Sequence, residues 1–337
     1  MQLEDLDLEL DEKNLEGYWA ADRSPSLEPA PTVKPHLWKW NEIYECLMRA
    51  GELVSLDKSE RRTVRLVNPG LKERVRSATR TIHLSIQLVK PGEIAHAHRH
   101  NMTAIRFVVR GRGAYTAVEG EQFFMEEGDL ILTPNWSWHD HYNGGNEPIV
   151  WLDGHDGPLV NALEVGFFEP FPKSQQPIER PADFSSRQFG LARPAWNSPT
   201  LKNPPLRYRW ADTYATLQTL SGSEGDPYDG VLLRYVNPLT SGWTLPTMSC
   251  EIQMLRAGEE TRSHRHTSST IYHVFRGRGS TVINGEKYHW ERGDCFVVPL
   301  WSWHQHQNGS DTEEAILFSL SDRPVLESLN LYREEGR

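Results

Sequence analysis

The sequence predicts an all-β protein made of two copies of one barrel-like domain, and three observations carry that prediction. First, the block His98-Arg99-His100, followed by His139 in the run Trp136-Ser-Trp-His-Asp-His-Tyr-Asn143, recurs as His264-Arg265-His266 with His304 in Trp301-Ser-Trp-His-Gln-His-Gln-Asn308. Second, the punctuation between the histidines recurs with them. Arg110-Gly-Arg-Gly113 matches Arg276-Gly-Arg-Gly279, Gly128-Asp129 matches Gly293-Asp294, and Pro134 matches Pro299. The offset between the copies changes by one residue at the turn near Gly120, where loop lengths are free to vary. Third, short β-rich runs alternate with Gly, Asn, Asp and Pro in each copy, the spacing of a sandwich or barrel. A repeat of this length is a duplicated domain and not a short-repeat solenoid.

Taken in order, residues 1–60 read as an acidic, solvated tail followed by a helix over 35–53, where Leu37, Trp40, Ile43, Tyr44 and Leu47 fall at helical spacing. Residues 61–168 form the first barrel. Within it, 81–88 shows strict period two: Ile82, Leu84, Ile86 and Leu88 point one way, His83, Ser85 and Gln87 the other. Such a strand fits a wall whose polar side lines a pocket. Residues 169–228 are a proline-rich connector with one helix near 211–220. Residues 229–321 form the second barrel, and 322–337 a tail with a short closing helix.

The formal charge of -10 argues against nucleic acid and anionic membranes as partners, since both are bound by concentrated Lys and Arg. No apolar run approaches the roughly 20 residues of a membrane span, and no signal-peptide hydrophobic region follows Met1. Cys46, Cys250 and Cys295 show neither metal-ligand spacing nor an even disulfide framework, so a reducing cytoplasm is the expected compartment.

Two histidines at i and i+2 on one strand project from the same face about 6 to 7 Å apart, close enough for both imidazoles to reach one ion. His98 and His100 make such a pair, and the turn between Gly128 and Pro134 delivers His139 as a third ligand. The second copy offers His264, His266 and His304. Neutral imidazole suits iron, copper, nickel and zinc, so the repeated block points to a metal enzyme.

Gly128, Pro134, His139 and Asn143 fall at the spacing of the second cupin motif, and the sequence resembles a bicupin, two double-stranded β-helix (jelly-roll) barrels with a few peripheral helices. The usual cupin adds a glutamate ligand after the first histidine pair, but Ala104-Ile-Arg106 and Thr270-Ile-Tyr272 contain no acid. The string Pro91-Gly-Glu, His98-Arg-His, Arg106-Phe, Gly128-Asp, Trp138-His-Asp-His141 and Trp151-Leu-Asp153 is similar to gentisate 1,2-dioxygenases, with the related salicylate and 1-hydroxy-2-naphthoate enzymes. That resemblance implies Fe(II) on His98, His100 and His139. It implies a substrate carboxylate held by Arg106 and Gln87 with help from Arg62, and His141 near the substrate hydroxyl with Asp153 behind it. It also implies O2 and a small aromatic 2-hydroxy acid as reactants, gentisate to maleylpyruvate first among them, and a homo-oligomer, commonly a tetramer.

In the second copy the histidines are complete and Gln253 matches Gln87, but Arg106 aligns with Tyr272 and Asp153 with Phe318. The working site is therefore expected in the first barrel, with a second metal set lacking its carboxylate clamp. A storage or sugar-sensing bicupin is the rival of a different class; it leaves the Arg106, Gln87 and Asp153 set without a purpose. A cupin isomerase or Mn-dependent decarboxylase is disfavoured by the missing glutamate. Salicylate, 5-substituted salicylates and 1-hydroxy-2-naphthoate stay open as substrates, because His83, Ser85, His155 and Gly157 sit where the family varies or usually carries more apolar residues.

Overall fold

The computed structural model describes residues 3–19, 26–55, 59, 61–73, 75–190, 193–196 and 202–337, so parts of the expected connector lie outside the described residues. The chain divides into two compact units, Met1–Pro31 and Thr32–Arg337. In the first, the acidic stretch expected as a tail is helical over Leu3–Glu12, with none of its residues buried. Lys13 pairs with Glu9 one turn back, a geometry that supports an exposed helix.

Among its described residues the second unit contains four antiparallel sheets, one six-stranded and one five-stranded per barrel. In the first barrel the larger sheet runs Arg207–Tyr208, Leu130–Thr133, Ala104–Arg110, Ile149–His155, His83–Val89, Arg62–Arg65. The smaller runs Phe168–Pro170, Ile94–His100, His139–Asn143, Ala114–Val118, Glu121–Phe124. The second barrel repeats both orders, its smaller sheet ending on Glu334–Gly336 beside His264–His266.

The period-two strand is present as His83–Val89, but every residue of it is buried. Its apolar face, Leu84, Ile86 and Leu88, joins Ile105 and Phe107 in a core shared with Ile252, Ile271 and Phe318 of the second barrel. Phe107 and Phe318 stack with centroids 4.1 Å apart. The two larger sheets thus bury their outer faces against each other, each such side chain contributing about 1.5–3 kcal/mol. The polar face turns into the barrel.

The segments before the barrels cross over. His36–Trp38, which the sequence reads as the start of a helix, instead pairs with Cys295–Val298 of the second barrel. Arg207–Tyr208 of the connector pairs with Leu130–Thr133 of the first. Each runs straight into a helix, Trp40–Leu53 or Trp210–Leu220. The Trp40 N–H donates to Asp294 Oδ1 at 2.8 Å, and the Trp210 N–H donates to Asp129 Oδ1 at 2.8 Å. A carboxylate here satisfies a helix-start N–H that has no partner within the helix. Trp40 and Trp210 lie against Gly293 and Gly128, where a Cβ would come within 2.4 and 2.6 Å of the indoles and φ is positive. The duplicated Gly-Asp pair, read in the sequence as turn punctuation, is therefore the seat of the crossing segments.

Candidate active site

His98 and His100 lie on Ile94–His100, and the register pairs His98 with His139 on the neighbouring strand. The ligand atoms of the three lie within 4.8 Å of one another. Each Nδ1 is tied to a backbone carbonyl: His98 to His96 O at 2.8 Å, His100 to Met102 O at 2.9 Å, His139 to Ser137 O at 2.9 Å. With Nδ1–H donating, the lone pair of each Nε2 faces inward, the arrangement of metal-bound histidine. His139 Nε2 is buried with no hydrogen-bond partner. Burial, with Arg61 nearby, holds His98 down at about 2, and burial with Arg106 holds His100 at about 4. The imidazoles are neutral, as a metal requires, and the donor set fits a divalent ion.

Beside the histidines opens a cavity of about 470 Å³, lined among others by Arg61, Thr63, His83, Ser85, Arg106, Asp153, His155 and Phe168. Register explains most of this wall. Ser85 pairs with Asp153 and Asp153 with Arg106, so all three share the inner face; His83, His155 and Ala104 form the next inward row. Arg106 is almost fully buried; it donates to Thr133 Oγ1, and its Nε lies 3.8 Å from Asp153 Oδ1. Arg61 Nη2 donates to His98 Nε2 at 2.8 Å, which puts a second guanidinium at the ligand end of the cavity.

At the other end the rings of His83 and His155 stack, centroids 4.3 Å apart. The Gly157 N–H donates to His155 Nδ1 at 3.0 Å, so neutral His155 carries its proton on Nε2. A Cβ at Gly157 would lie 2.6 Å from that Nδ1, so only glycine leaves the ring in place. Burial keeps both histidines neutral, His83 at about 4 and His155 well below its ordinary value.

Several expected positions fall elsewhere. Arg62 is turned away: it pairs with Leu88 on the outer face, donates to Val54 O at 2.8 Å and forms an ion pair with Glu93. Thr63 pairs with inward Gln87, so the inward parity belongs to Thr63 and to Arg61, which the sequence reading passed over. Asp153 stands beside Arg106, whereas His141 Nδ1 meets Thr116 Oγ1 at 2.9 Å and its buried Nε2 has no partner. His141 lies 6.2 Å, ring to ring, from His139 and outside the cavity lining. Gln87 is also deeper, next to Trp151, with both amide atoms buried and unpartnered. The counterpart of Asp153 is Ser319, which pairs with Tyr272 as Asp153 does with Arg106; Phe318 faces the inter-barrel core. A residue lost at the hairpin is regained in the later loop, and this restores the register.

The second triad, His264, His266 and His304, converges equally, again within 4.8 Å. Among the described residues, no helix is long and apolar enough to cross a membrane.

The Cupin domain model matches residues 85–155 and again 251–321. The chain is 48% identical over 315 residues to the 5-aminosalicylate 1,2-dioxygenase of a Comamonas species, covering 92% of this chain and 83% of that one. It is 37% identical over 310 residues to gentisate 1,2-dioxygenase 1 of Aquipseudomonas alcaligenes, covering 91% and 88%. The crystal structure of salicylate 1,2-dioxygenase from Pseudaminobacter salicylatoxidans superposes with a TM-score of 0.90 at 36% identity, covering 99% of this chain and 97% of that one. With two histidine-bearing barrels and near full-length similarity to these enzymes, the chain belongs to the gentisate 1,2-dioxygenase family of bicupin ring-cleaving dioxygenases.

Proposed function

We propose that this chain is a Fe(II)-dependent dioxygenase that opens a 2-hydroxybenzoate ring between its carboxyl-bearing and hydroxyl-bearing carbons, with gentisate converted to maleylpyruvate as the leading reaction. One feature supports this above all: a triad of neutral histidines presents two members, His98 and His100, to the same cavity as Arg61 and Arg106, with His139 buried behind them. Bound to His98, His100 and His139, Fe(II) would supply positions for substrate oxygens and O2 and a route for electrons from ring to dioxygen. The residues around it divide the remaining work. Arg106, steadied by Asp153 and Thr133, and Arg61 offer planar forks to the substrate carboxylate. His141, neutral and with its Nε2 unpartnered, does not line the cavity but lies 6.2 Å behind His139, ring to ring, and it is the proton acceptor we assign to a substrate hydroxyl held at the triad. Gln87 supplies a second buried polar contact at the same depth.

The far end of the cavity selects the ring's 5-position. The His83–His155 row is one pair of residues along the strands from the Ser85–Asp153–Arg106 row, about 6.6 Å, comparable to the reach across a substituted ring. His155 Nε2–H and Ser85 can bond a 5-hydroxyl or a 5-amino group. Similarity to the Comamonas enzyme favours a second reading, 5-aminosalicylate, at this site. The family resemblance adds a cytoplasmic homotetramer to the proposal.

The test is anaerobic loading with Fe(II), followed by O2 uptake with gentisate, 5-aminosalicylate, salicylate and 1-hydroxy-2-naphthoate. Uptake of one O2 per ring opened is expected, with the 5-substituted acids ahead of salicylate. Iron held without O2 uptake on any of the four would overturn the assignment. Replacement H98A should abolish both iron at the first site and turnover.

A further inference from the structure

The second barrel carries a histidine set as complete as the first in opposite surroundings. His264 Nε2 and His304 Nε2 are buried without partners, while the Nδ1 atoms of His266 and His304 bond Ser268 O and Ser302 O at 2.9 and 3.0 Å. His264 differs from the rest: its Nδ1 meets the carboxylate of Glu334 at 3.2 Å. Tyr332 donates to the other oxygen of Glu334 at 2.8 Å, and the strand Glu334–Gly336 pairs directly with His264–His266.

The same edge in the first barrel is Phe168–Pro170, so Phe168 stands opposite His100 where Glu334 stands opposite His266. Arg106 is replaced by Tyr272 and Ser85 by Glu251 in the matching rows. Tyr228 stacks on His264 at 4.9 Å with an interplanar angle of 4°, and Tyr332 on His266 at 6.5 Å. Two guanidiniums border the first triad and invite an anionic ligand. Here a carboxylate backs a ligand, and aromatic rings cover the flanks.

We propose that the second barrel holds its own divalent transition-metal ion in a covered three-histidine site, backed by Glu334, which fastens the strand Glu334–Gly336 to the barrel and takes no substrate. A carboxylate hydrogen-bonded to the far nitrogen of a histidine fixes its tautomer and raises its basicity toward a metal. Three histidines leave the ion a position for water, and Tyr272 in place of Arg106, with Tyr228 and Tyr332 stacked on the ligands, gives a ring acid no carboxylate clamp there. The inference does not depend on which ring acid the first barrel accepts.

The experiment loads metal-free full-length protein with Co(II) under anaerobic conditions and follows metal content and visible absorption. Two ions per chain are expected for the unaltered protein, and one each for H98A and H304A. Salicylate should shift the Co(II) spectrum of H304A and leave that of H98A unchanged. E334Q should weaken retention of one ion by about 10- to 100-fold. Hydrogen exchange across 334–336 should then speed up in E334Q. One ion per chain that H98A removes, a salicylate-induced shift in H98A, or unchanged retention in E334Q would overturn the proposal.

Discussion

Arg61 and Arg62 are neighbours that face opposite sides of one sheet. Arg61 lines the cavity; Arg62 is buried on the outer side, ion-paired with Glu93. Replacement R61A is expected to lower kcat/KM for the ring acid by about 10- to 100-fold, the worth of a charge-assisted hydrogen bond, with the denaturant midpoint unchanged. R62A should do the reverse, costing about 3–5 kcal/mol of stability by stranding a half-buried carboxylate while KM stays put. Steady-state kinetics beside urea unfolding of both variants separates the two. Gly157 sets a second residue-scale expectation. G157A would push the ring of His155 and should cut kcat/KM for 5-substituted acids about 10- to 100-fold relative to salicylate, as misplacement of a positioning group does. Equal losses on both substrates would show that the His83–His155 end does not read the 5-position.

Among elements, the two crossing strand–helix segments are built alike but not bonded alike. Asp129 is buried and takes Arg207 Nη2 at 2.7 Å as well as the Trp210 N–H; Arg207 is itself buried. Asp294 is equally buried but takes Lys39, which is 37% exposed. The cost of removing the acid should therefore differ. D129A strips the buried guanidinium of its one buried partner and leaves it Asp183 at 3.2 Å and Glu126 at 3.6 Å, both more exposed, and with the lost helix-start hydrogen bond is expected to cost about 2–3 kcal/mol. D294A leaves Lys39 free to reach water and should cost about 1–2 kcal/mol, chiefly the lost helix-start hydrogen bond. Chemical denaturation of both, at matched slopes, checks the ranking.

Across the whole molecule, the buried histidines make stability depend on pH. Burial lowers His83 to about 4 and His273 to about 3, whereas both return to about 6.5 in the unfolded chain. The unfolded state therefore binds protons that the folded state refuses between pH 6.5 and these values. Stability is whole above pH 6.5 and falls as the pH drops through that window, by about 1.4 kcal/mol per unit for each histidine. Metal-free protein, in which the ligand histidines cannot mask the effect by coordination, should show a falling midpoint in urea from pH 7 to pH 4. A midpoint that rose over that range would contradict the burial.

The residue order determined the duplication, the barrel class and both histidine triads, because each is written in local spacing: i and i+2 histidines on a strand, glycine and proline at turns, alternation along 81–88. His83, Ser85 and Gln87 were legible as inward residues for the same reason, whereas Arg106 and Asp153 were singled out by the family resemblance. Tertiary structure alone decided the rest. Whether Arg61 or Arg62 faces the cavity depends on the pairing of Thr63 with Gln87, and one step of register reverses every side chain. That Asp153 braces Arg106, and that Ser319 is its counterpart, follows from strand pairing across loops of different length. The exchange of His36–Trp38 and Arg207–Tyr208 between barrels, and the approach of Glu334 to His264, join residues far apart in the chain. The duplicated histidines fixed what the two centres share; long-range pairing fixed that one is open and flanked by guanidiniums and the other covered and backed by a carboxylate.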